Sequence, residues 1–198
     1  AHRFLGEETG GSDPSALTIY GVSVCAHHLW ILGLPQWCGA EIDEFIETIL
    51  YNISRVISIH TLRVTSSAFK SNGLIPKKYT CDDRDINPSL NIEDLPKETK
   101  SLALIVDDPD ASMGTWVHWV VWNIPPAKEI LEDSVPGTEG VNDFRKHSYG
   151  GPCPPSGTHR YFFKVYALDT KLELSPNSKK RDLEKAMEGH ILAKGEII

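Results

Sequence analysis

Three side chains with acid–base or ligand-binding chemistry stand in, or at the ends of, strongly apolar segments: Asp108, His118 and His159. Two imidazoles brought together can hold a phosphate or a carboxylate, and a nearby carboxylate can accept a hydrogen bond from an imidazole or a ligand ammonium. A single histidine among apolar residues is more often a hydrogen-bonded core residue. Spacing does not show that the three side chains meet, so a shared site and separate core contacts both stay open at this point.

A loop rich in glycine and proline lies before His159, with the sequence YGGPCPPSG from Tyr149 to Gly157. Glycine lets a backbone approach a ligand closely, and proline holds a loop rigid. Backbone N–H groups exposed in such a loop can form an anion-binding nest, although an ordinary tight surface turn has the same composition. The motifs GxxxxGK(S/T) and HExxH are absent from the sequence, which therefore predicts neither a P-loop nor a zinc protease, and no metal or cofactor.

Three segments have the composition of buried strands. Ser101–Asp108 is a near-continuous apolar run, and Trp116–Ile124 and His159–Leu168 are rich in β-branched and aromatic residues. Leu62–Thr65 has the pattern of a shorter strand. Ser178–Leu192 has the apolar stripe of a late helix, with Ser178 at its N-cap.

Side chains alternate between the two faces of a strand. In the second segment this places His118 on one face with Trp116, Val120 and Trp122. In the third it places His159 on one face with Tyr161, Phe163 and Val165. The long loop 125–158 joins the two segments, and a loop of this length within a compact domain usually has a function.

The first 60 residues differ from the rest and are predicted to be an N-terminal extension of a domain formed by residues 61–198. No Asp, Glu, Lys or Arg occurs from Pro14 to Ala40, and the apolar run Ala16–Leu34 raises the question of a membrane span or a signal peptide. The preceding residues are net acidic and two histidines lie within the run. We therefore favour an ordered or partner-packed extension and predict no stable membrane span.

Residues 41–57 have the clearest helical pattern in the chain. Apolar residues recur at spacings of three and four, and acidic residues occupy the first turns. This amphipathic helix either packs on the main domain or forms the interface of a homodimer, and we favour the first alternative.

Composition limits the class of protein. The chain has 198 residues with 20 Lys+Arg and 27 Asp+Glu, which gives a formal net charge of −7. A general nucleic-acid-binding protein needs a basic surface, so nucleic acid is not an expected partner. Four cysteines without a CxxC pair are too few for a disulfide scaffold. We expect a cytoplasmic protein, with a periplasmic or secreted location as the alternative.

Five motifs follow one another along the chain: Asp108-Pro109-Asp110-Ala111, His118-Trp119, Asn123-Ile124, Asn142-Asp143-Phe144 and the stretch Tyr149–Asp169. In this order they resemble the phosphatidylethanolamine-binding protein (PEBP) family, in particular its bacterial and archaeal Raf-kinase-inhibitor-like branch. The resemblance runs from about residue 61 to the C-terminus. It implies a mainly β fold, a sandwich of two antiparallel sheets with a few flanking helices, and a small anion pocket at one end of the central sheet.

The resemblance also implies which residues form that pocket. The ligand-binding residues would be Asp108, His118, Gly151, Pro152, His159 and Tyr161. Trp116 or Trp122 would form the pocket wall. The implied ligands are phosphate or phosphoethanolamine-like small anions. Arg160 lies on the opposite face from His159, and we expect it to form an ion pair with Asp107 or Asp110.

Three classes of function are compatible with the sequence. The first is a protein without enzymatic activity that binds small anions or phospholipid headgroups and modulates a partner such as a kinase or a protease. The second is a protease or kinase inhibitor that acts through surface loops in 125–158. The third and least favoured is a thiol hydrolase built on Cys153, His159 and Asp108, because Cys153 is expected to be a buried thiol or to form a disulfide with Cys81.

Overall fold

The structure is a computed structural model, and it describes residues 16–19, 22–25 and 59–198. The chain divides into two compact units, residues 1–49 and residues 50–198. Each unit is described by itself below.

The described part of the first unit is a pair of short strands. Strands β1 (Ala16–Ile19) and β2 (Val22–Cys25) pair antiparallel within the apolar run. The predicted helix 41–57, and with it the suggested homodimer interface, lies outside the described residues. In the described part of the chain, no helix is long and apolar enough to cross a membrane.

The described residues of the second unit form two sheets. Their strands are β3 (His60–Thr61), β4 (Arg63–Thr65), β5 (Leu90–Glu93), β6 (Ser101–Asp108), β7 (Trp116–Ile124), β8 (Glu129–Ile130), β9 (Thr138–Glu139), β10 (Phe162–Leu168) and β11 (Ile191–Ile197). The larger sheet has the order β3-β11-β10-β6-β7-β9, and the smaller has the order β4-β5-β8. Neighbouring strands are antiparallel except for a two-residue parallel pairing between β3 and β11. The predicted mainly β fold with two sheets is confirmed.

Among the described residues there is one α-helix, α1 (Lys180–Met187), and Lys77–Tyr79 form a 3-10 turn. The prediction of a few flanking helices is thus met by one α-helix in this part of the chain. It begins after Lys179, whose N–H donates to the Asp182 carboxylate at 2.9 Å, so Ser178 is not the N-cap.

Burial of β6 and β7 fits their positions as interior strands of the larger sheet. All eight residues of β6 are buried, and β7 is buried on both faces. One apolar cluster fills the space between the two sheets and includes Leu90, Ile92, Val106, Trp119, Tyr161 and Phe163. A second cluster lies on the opposite face, beneath α1, and includes Ile105, Val120, Trp122, Leu183 and Met187.

Three predicted elements have different bounds in the structure, and the smallest difference is in the short strand β4, which was predicted as Leu62–Thr65 and is Arg63–Thr65. The late helix stops at Met187 because the backbone turns at Gly189, where φ is +78°. The residues that follow pair with β10 as strand β11, which the sequence did not predict. The third predicted strand begins at Phe162 rather than His159, because the N–H of Arg160 donates to Asp110 Oδ2 at 2.9 Å instead of joining the sheet.

A β-bulge in β7 determines where His118 points. Val106 lies opposite Trp119 and Asp107 lies opposite Val117, so His118 is an extra residue between the two pairs. A bulge interrupts the alternation of side chains and redirects one of them. The His118 ring contacts Tyr161, which belongs to the cluster between the sheets, whereas Val120 and Trp122 belong to the cluster beneath α1. The predicted face shared by His118, Val120 and Trp122 is therefore wrong.

Candidate functional site

The C-terminal end of β6 brings two of the predicted site residues together. Asp108 is 3% exposed, and its Oδ2 lies 2.7 Å from Nδ1 of His159. Its other oxygen, Oδ1, accepts a hydrogen bond from the N–H of Asp110 at 2.8 Å. Because an ionised carboxylate only accepts hydrogen bonds, Nδ1 of His159 carries a hydrogen, and this pairing fixes the tautomer and orientation of the ring.

His118 is held in place by the loop that follows β9. Its Nδ1 lies 2.7 Å from the carbonyl oxygen of Gly150, and the N–H of Gly150 donates back to the His118 carbonyl at 3.1 Å. The side-chain amide of Asn142 donates to the same His118 carbonyl at 3.0 Å. A carbonyl oxygen only accepts, so the hydrogen of the neutral imidazole is on Nδ1 and Nε2 is an acceptor.

The environment of His118 favours this neutral form. Burial lowers the pKa of His118, against the opposing effects of the Gly150 carbonyl, the Asp108 carboxylate, the Gly151 carbonyl and the Asp85 carboxylate. The imidazole is therefore uncharged at pH 7.

Tyr161 contributes a buried hydroxyl beside His118. The two rings meet edge-on with centroids 5.2 Å apart, and Tyr161 is 6% exposed. Its Oη is the one buried side-chain nitrogen or oxygen within residues 59–198 that has no hydrogen-bond partner. Burial raises the pKa of Tyr161 to about 12, with Asp108 acting in the same direction and the nearby backbone N–H of Cys153 opposing it, so the hydroxyl keeps its proton. An unpaired buried hydroxyl costs about 1–3 kcal/mol, which a ligand oxygen would recover.

Phe144 forms an aromatic wall that the sequence did not assign to the site. Its ring lies edge-on to His118 at 5.3 Å and to Trp116 at 5.5 Å. Phe144 belongs to the Asn142-Asp143-Phe144 motif, so the signal was present in the sequence without a role attached to it. Trp116 reaches the site through Phe144. Trp122 packs beneath α1 on the other face of the sheet, so it does not form the wall predicted for it.

The loop containing Gly151 and Pro152 supports the site without offering a row of free donors. The N–H of Gly151 donates to Asp85 Oδ1 at 2.6 Å, and the N–H of Gly150 is taken by His118. Pro152 has no N–H. Of the two alternatives for this loop, an anion-binding nest therefore has no free N–H group at residues 150–152. Glycine at 151 permits a close approach, since a Cβ there would lie 2.3 Å from the carbonyl oxygen of Tyr79.

A disulfide anchors the same loop. Cys153 is bonded to Cys81, and the N–H of Cys81 donates to the Pro152 carbonyl at 3.1 Å. Of the two fates predicted for Cys153, the structure has the disulfide. While this bond is intact, Cys153 has no thiolate for nucleophilic catalysis.

The charged residues around the site form separate pairs. Arg160 donates to Asp110 through Nε at 2.9 Å and through a terminal nitrogen at 2.7 Å. Of the two predicted partners of Arg160, Asp107 and Asp110, the structure has Asp110. Asp107 instead binds Lys164 and Lys180. The structure thus brings Asp108, His118, His159 and Tyr161 to one end of the larger sheet.

Comparison with known proteins agrees with the fold. The family model described as phosphatidylethanolamine-binding protein matches residues 65–198. A UPF0098 protein of Pyrococcus horikoshii is 51% identical over 144 residues, which cover 67% of this chain and 73% of that protein. A UPF0098 protein of Aquifex aeolicus is 50% identical over 147 residues, which cover 69% of this chain and 86% of that protein. The chain belongs to the phosphatidylethanolamine-binding protein family, so the membership predicted from the motifs is confirmed.

Two solved structures are similar over the same region. The putative PEBP homolog of Chlamydia trachomatis matches with a TM-score of 0.67 and 40% identity, covering 69% of this chain and 94% of that one. E. coli YbcL, described as a new member of the mammalian PEBP family, matches with a TM-score of 0.64 and 32% identity, covering 70% and 96%.

Proposed function

We propose that this protein binds a small anion, such as phosphate or phosphoethanolamine, at the site formed by Asp108, His118, His159 and Tyr161, and that the bound anion modulates a partner protein. The observation that carries the proposal is the buried Tyr161 hydroxyl, which has no partner among the described residues and lies beside His118. An anion oxygen placed there accepts from the hydroxyl. The family's name supports a phosphorylated headgroup as the ligand.

The Asp108 carboxylate and the Tyr161 hydroxyl together suit a zwitterionic ligand. Asp108 is buried and has His159 on one oxygen and a backbone N–H on the other. A carboxylate has lone pairs for further hydrogen bonds, so a ligand ammonium can bind it in addition. Phosphoethanolamine therefore matches the site with its phosphate toward Tyr161 and its ammonium toward Asp108.

Isothermal titration of phosphoethanolamine, with inorganic phosphate as a second ligand, tests the proposal. We expect saturable binding to the wild type and at least tenfold weaker binding to His159→Ala. The chain contains a matched control, because Nδ1 of His190 lies 2.8 Å from Asp169 Oδ1 in a second, more exposed histidine–aspartate pair. His190→Ala should keep the wild-type affinity. Absence of binding to the wild type, or an equal loss in both variants, would contradict the proposal.

A second candidate function rests on the loop 125–158. Leu131 and Val135 are 61% and 68% exposed, although both are apolar. Asn87 holds this part of the loop, since its amide donates to the Leu131 carbonyl and its oxygen accepts from the Ser134 N–H, both at 2.9 Å. A rigid exposed apolar loop suits an inhibitor that contacts a protease or a kinase. Inhibition that is lost in Leu131→Asp and kept in His159→Ala would favour this function over anion binding.

The compartment stays a prediction. The Cys81–Cys153 disulfide is compatible with both compartments, because disulfides persist in oxidising surroundings and also occur in intracellular proteins of hyperthermophiles.

A further inference from the structure

The hydrogen-bonding groups of the site are unusual for one that binds an anion. Nδ1 of His118 is used by the Gly150 carbonyl, and Nδ1 of His159 is used by Asp108. In the neutral ring of His118, the remaining nitrogen, Nε2, is an acceptor. The N–H groups of Gly150 and Gly151 already have partners. The hydroxyl of Tyr161 is left as a side-chain donor.

The charges that act on these groups are negative. Asp108 and Asp85 are the charged groups that act on His118, and Asp108 and Asp110 are those that act on Tyr161. The guanidinium of Arg160 is bound to Asp110 in a two-point pair. A ligand that is negative at every oxygen would therefore meet a lone pair at Nε2 of His118 and a carboxylate close by, with the Tyr161 hydroxyl to donate to it.

We propose that the site selects phosphate groups that carry a proton, with the ligand P–OH donating to Nε2 of His118 while the Tyr161 hydroxyl donates to an unprotonated oxygen of the same phosphate. This inference rests on the anion binding proposed above and names the class of ligand. Free phosphate and phosphomonoesters in their monoanionic form carry such a hydroxyl, whereas the phosphodiester of an intact phospholipid does not.

Methyl phosphate and dimethyl phosphate form a matched pair for the test. At pH 5.5 both are mainly monoanions, because the second pKa of a phosphomonoester lies near 6. They differ in one position, where the first has P–OH and the second has P–OCH3. We expect isothermal titration at pH 5.5 to show at least tenfold tighter binding of methyl phosphate, because a site built to pair with a hydroxyl discriminates strongly against an analogue that lacks it.

Two variants assign the effect to His118. His118→Gln replaces the Nε2 acceptor by an amide that can donate, and we expect the affinity ratio of the two ligands to fall close to one. Tyr161→Phe removes a donor used equally by both ligands, so both affinities should fall while their ratio stays. If His118→Gln does not fold, the wild-type Nε2 signal of His118 in nitrogen-detected NMR gives the same assignment, because it should move with methyl phosphate and not with dimethyl phosphate.

The outcomes separate this inference from the proposed function. Equal affinity for the two ligands, or tighter binding of dimethyl phosphate, would overturn the selection of a protonated phosphate and leave anion binding intact. Failure of methyl phosphate and inorganic phosphate to bind at all would overturn both. Phosphoethanolamine and glycerophosphoethanolamine repeat the comparison for a free headgroup and a lipid-like diester, and the free headgroup should bind more tightly.

Discussion

Asp107 and Asp108 are consecutive residues at the end of β6, and they have opposite surroundings. Asp107 is fully buried on the α1 side, where Lys164 and Lys180 bind its two oxygens. Asp108 faces the site and binds His159 and a backbone N–H. Fixed ammonium charges neutralise the first carboxylate. The second is paired with an imidazole and faces the site, so the first carboxylate suits stability and the second suits ligand binding.

A second comparison separates two histidine–aspartate pairs with the same geometry. The nitrogen–oxygen distance is 2.7 Å for His159–Asp108 and 2.8 Å for His190–Asp169. The side chains of the first pair are 14% and 5% exposed, and those of the second are 46% and 19% exposed. Geometry alone therefore does not indicate a site, and burial beside Tyr161 is what distinguishes the first pair.

The largest expected effect is a loss of stability when the disulfide that anchors the loop beside Asp108 is removed. Cys81 and Cys153 are separated by 72 residues, and a cross-link closing a loop of that length stabilises the fold by about 4 kcal/mol. Cys81→Ser with Cys153→Ser should lower the free energy of unfolding by that amount in urea titration. Reductant should have the same effect on the wild type and none on the double variant. A change below about 1 kcal/mol would show that the loop is held by other contacts.

Asp107→Asn should mainly affect stability. It leaves the Lys164 and Lys180 ammonium groups without their shared counterion, and removing one partner of a buried pair costs about 3–5 kcal/mol. Because these lysines are 28% and 21% exposed, we expect the lower end, about 3 kcal/mol, in urea unfolding. Asp110→Asn is the control, since its partner Arg160 is mostly exposed. The contrast between Asp107 and Asp108 would be contradicted if Asp107→Asn reduced the free energy of phosphoethanolamine binding as much as it reduced the free energy of unfolding.

Asp108→Asn should show the opposite behaviour. The variant keeps the size of the side chain and loses the charge that orients His159 and attracts a ligand ammonium. We expect about tenfold weaker binding of phosphoethanolamine in isothermal titration, equivalent to about 1.4 kcal/mol. An unchanged affinity in this variant would remove Asp108 from the site.

The smallest effect is a pH dependence of stability from His118. Its pKa is lowered in the folded protein, mainly by burial, so the unfolded chain binds the proton more readily. The contribution of His118 to the free energy of unfolding should therefore be fully present above the unfolded pKa near 6.5. It should decrease as the pH falls from there toward the lower pKa of the folded state. His118→Gln should flatten this part of the profile in urea titrations between pH 7 and pH 5. An unchanged slope would mean that His118 is not the titrating group.

Some parts of this structure could be predicted from the sequence, and others required three-dimensional information. The bounds of β6 and β7 were predicted because both are long runs of buried apolar residues. The direction of His118 was not, because the bulge in β7 leaves no mark in a period-two pattern. Strand β11 was missed because Ile191 was assigned to the preceding helix. His159 lies outside β10 because Asp110 captures the N–H of Arg160, a contact between residues 50 positions apart.

The central claim is that the anion binds between His118, His159 and Tyr161, and ring NMR of the histidines in the unmodified protein tests it most directly. Phosphoethanolamine would be added stepwise while the carbon–proton signals of the eight histidine rings are recorded. We predict saturable shifts of the His118 and His159 signals with one common dissociation constant, and no shift of the His190 signal. Equal shifts at all three residues, or shifts at His190 without shifts at His118 and His159, would contradict the account.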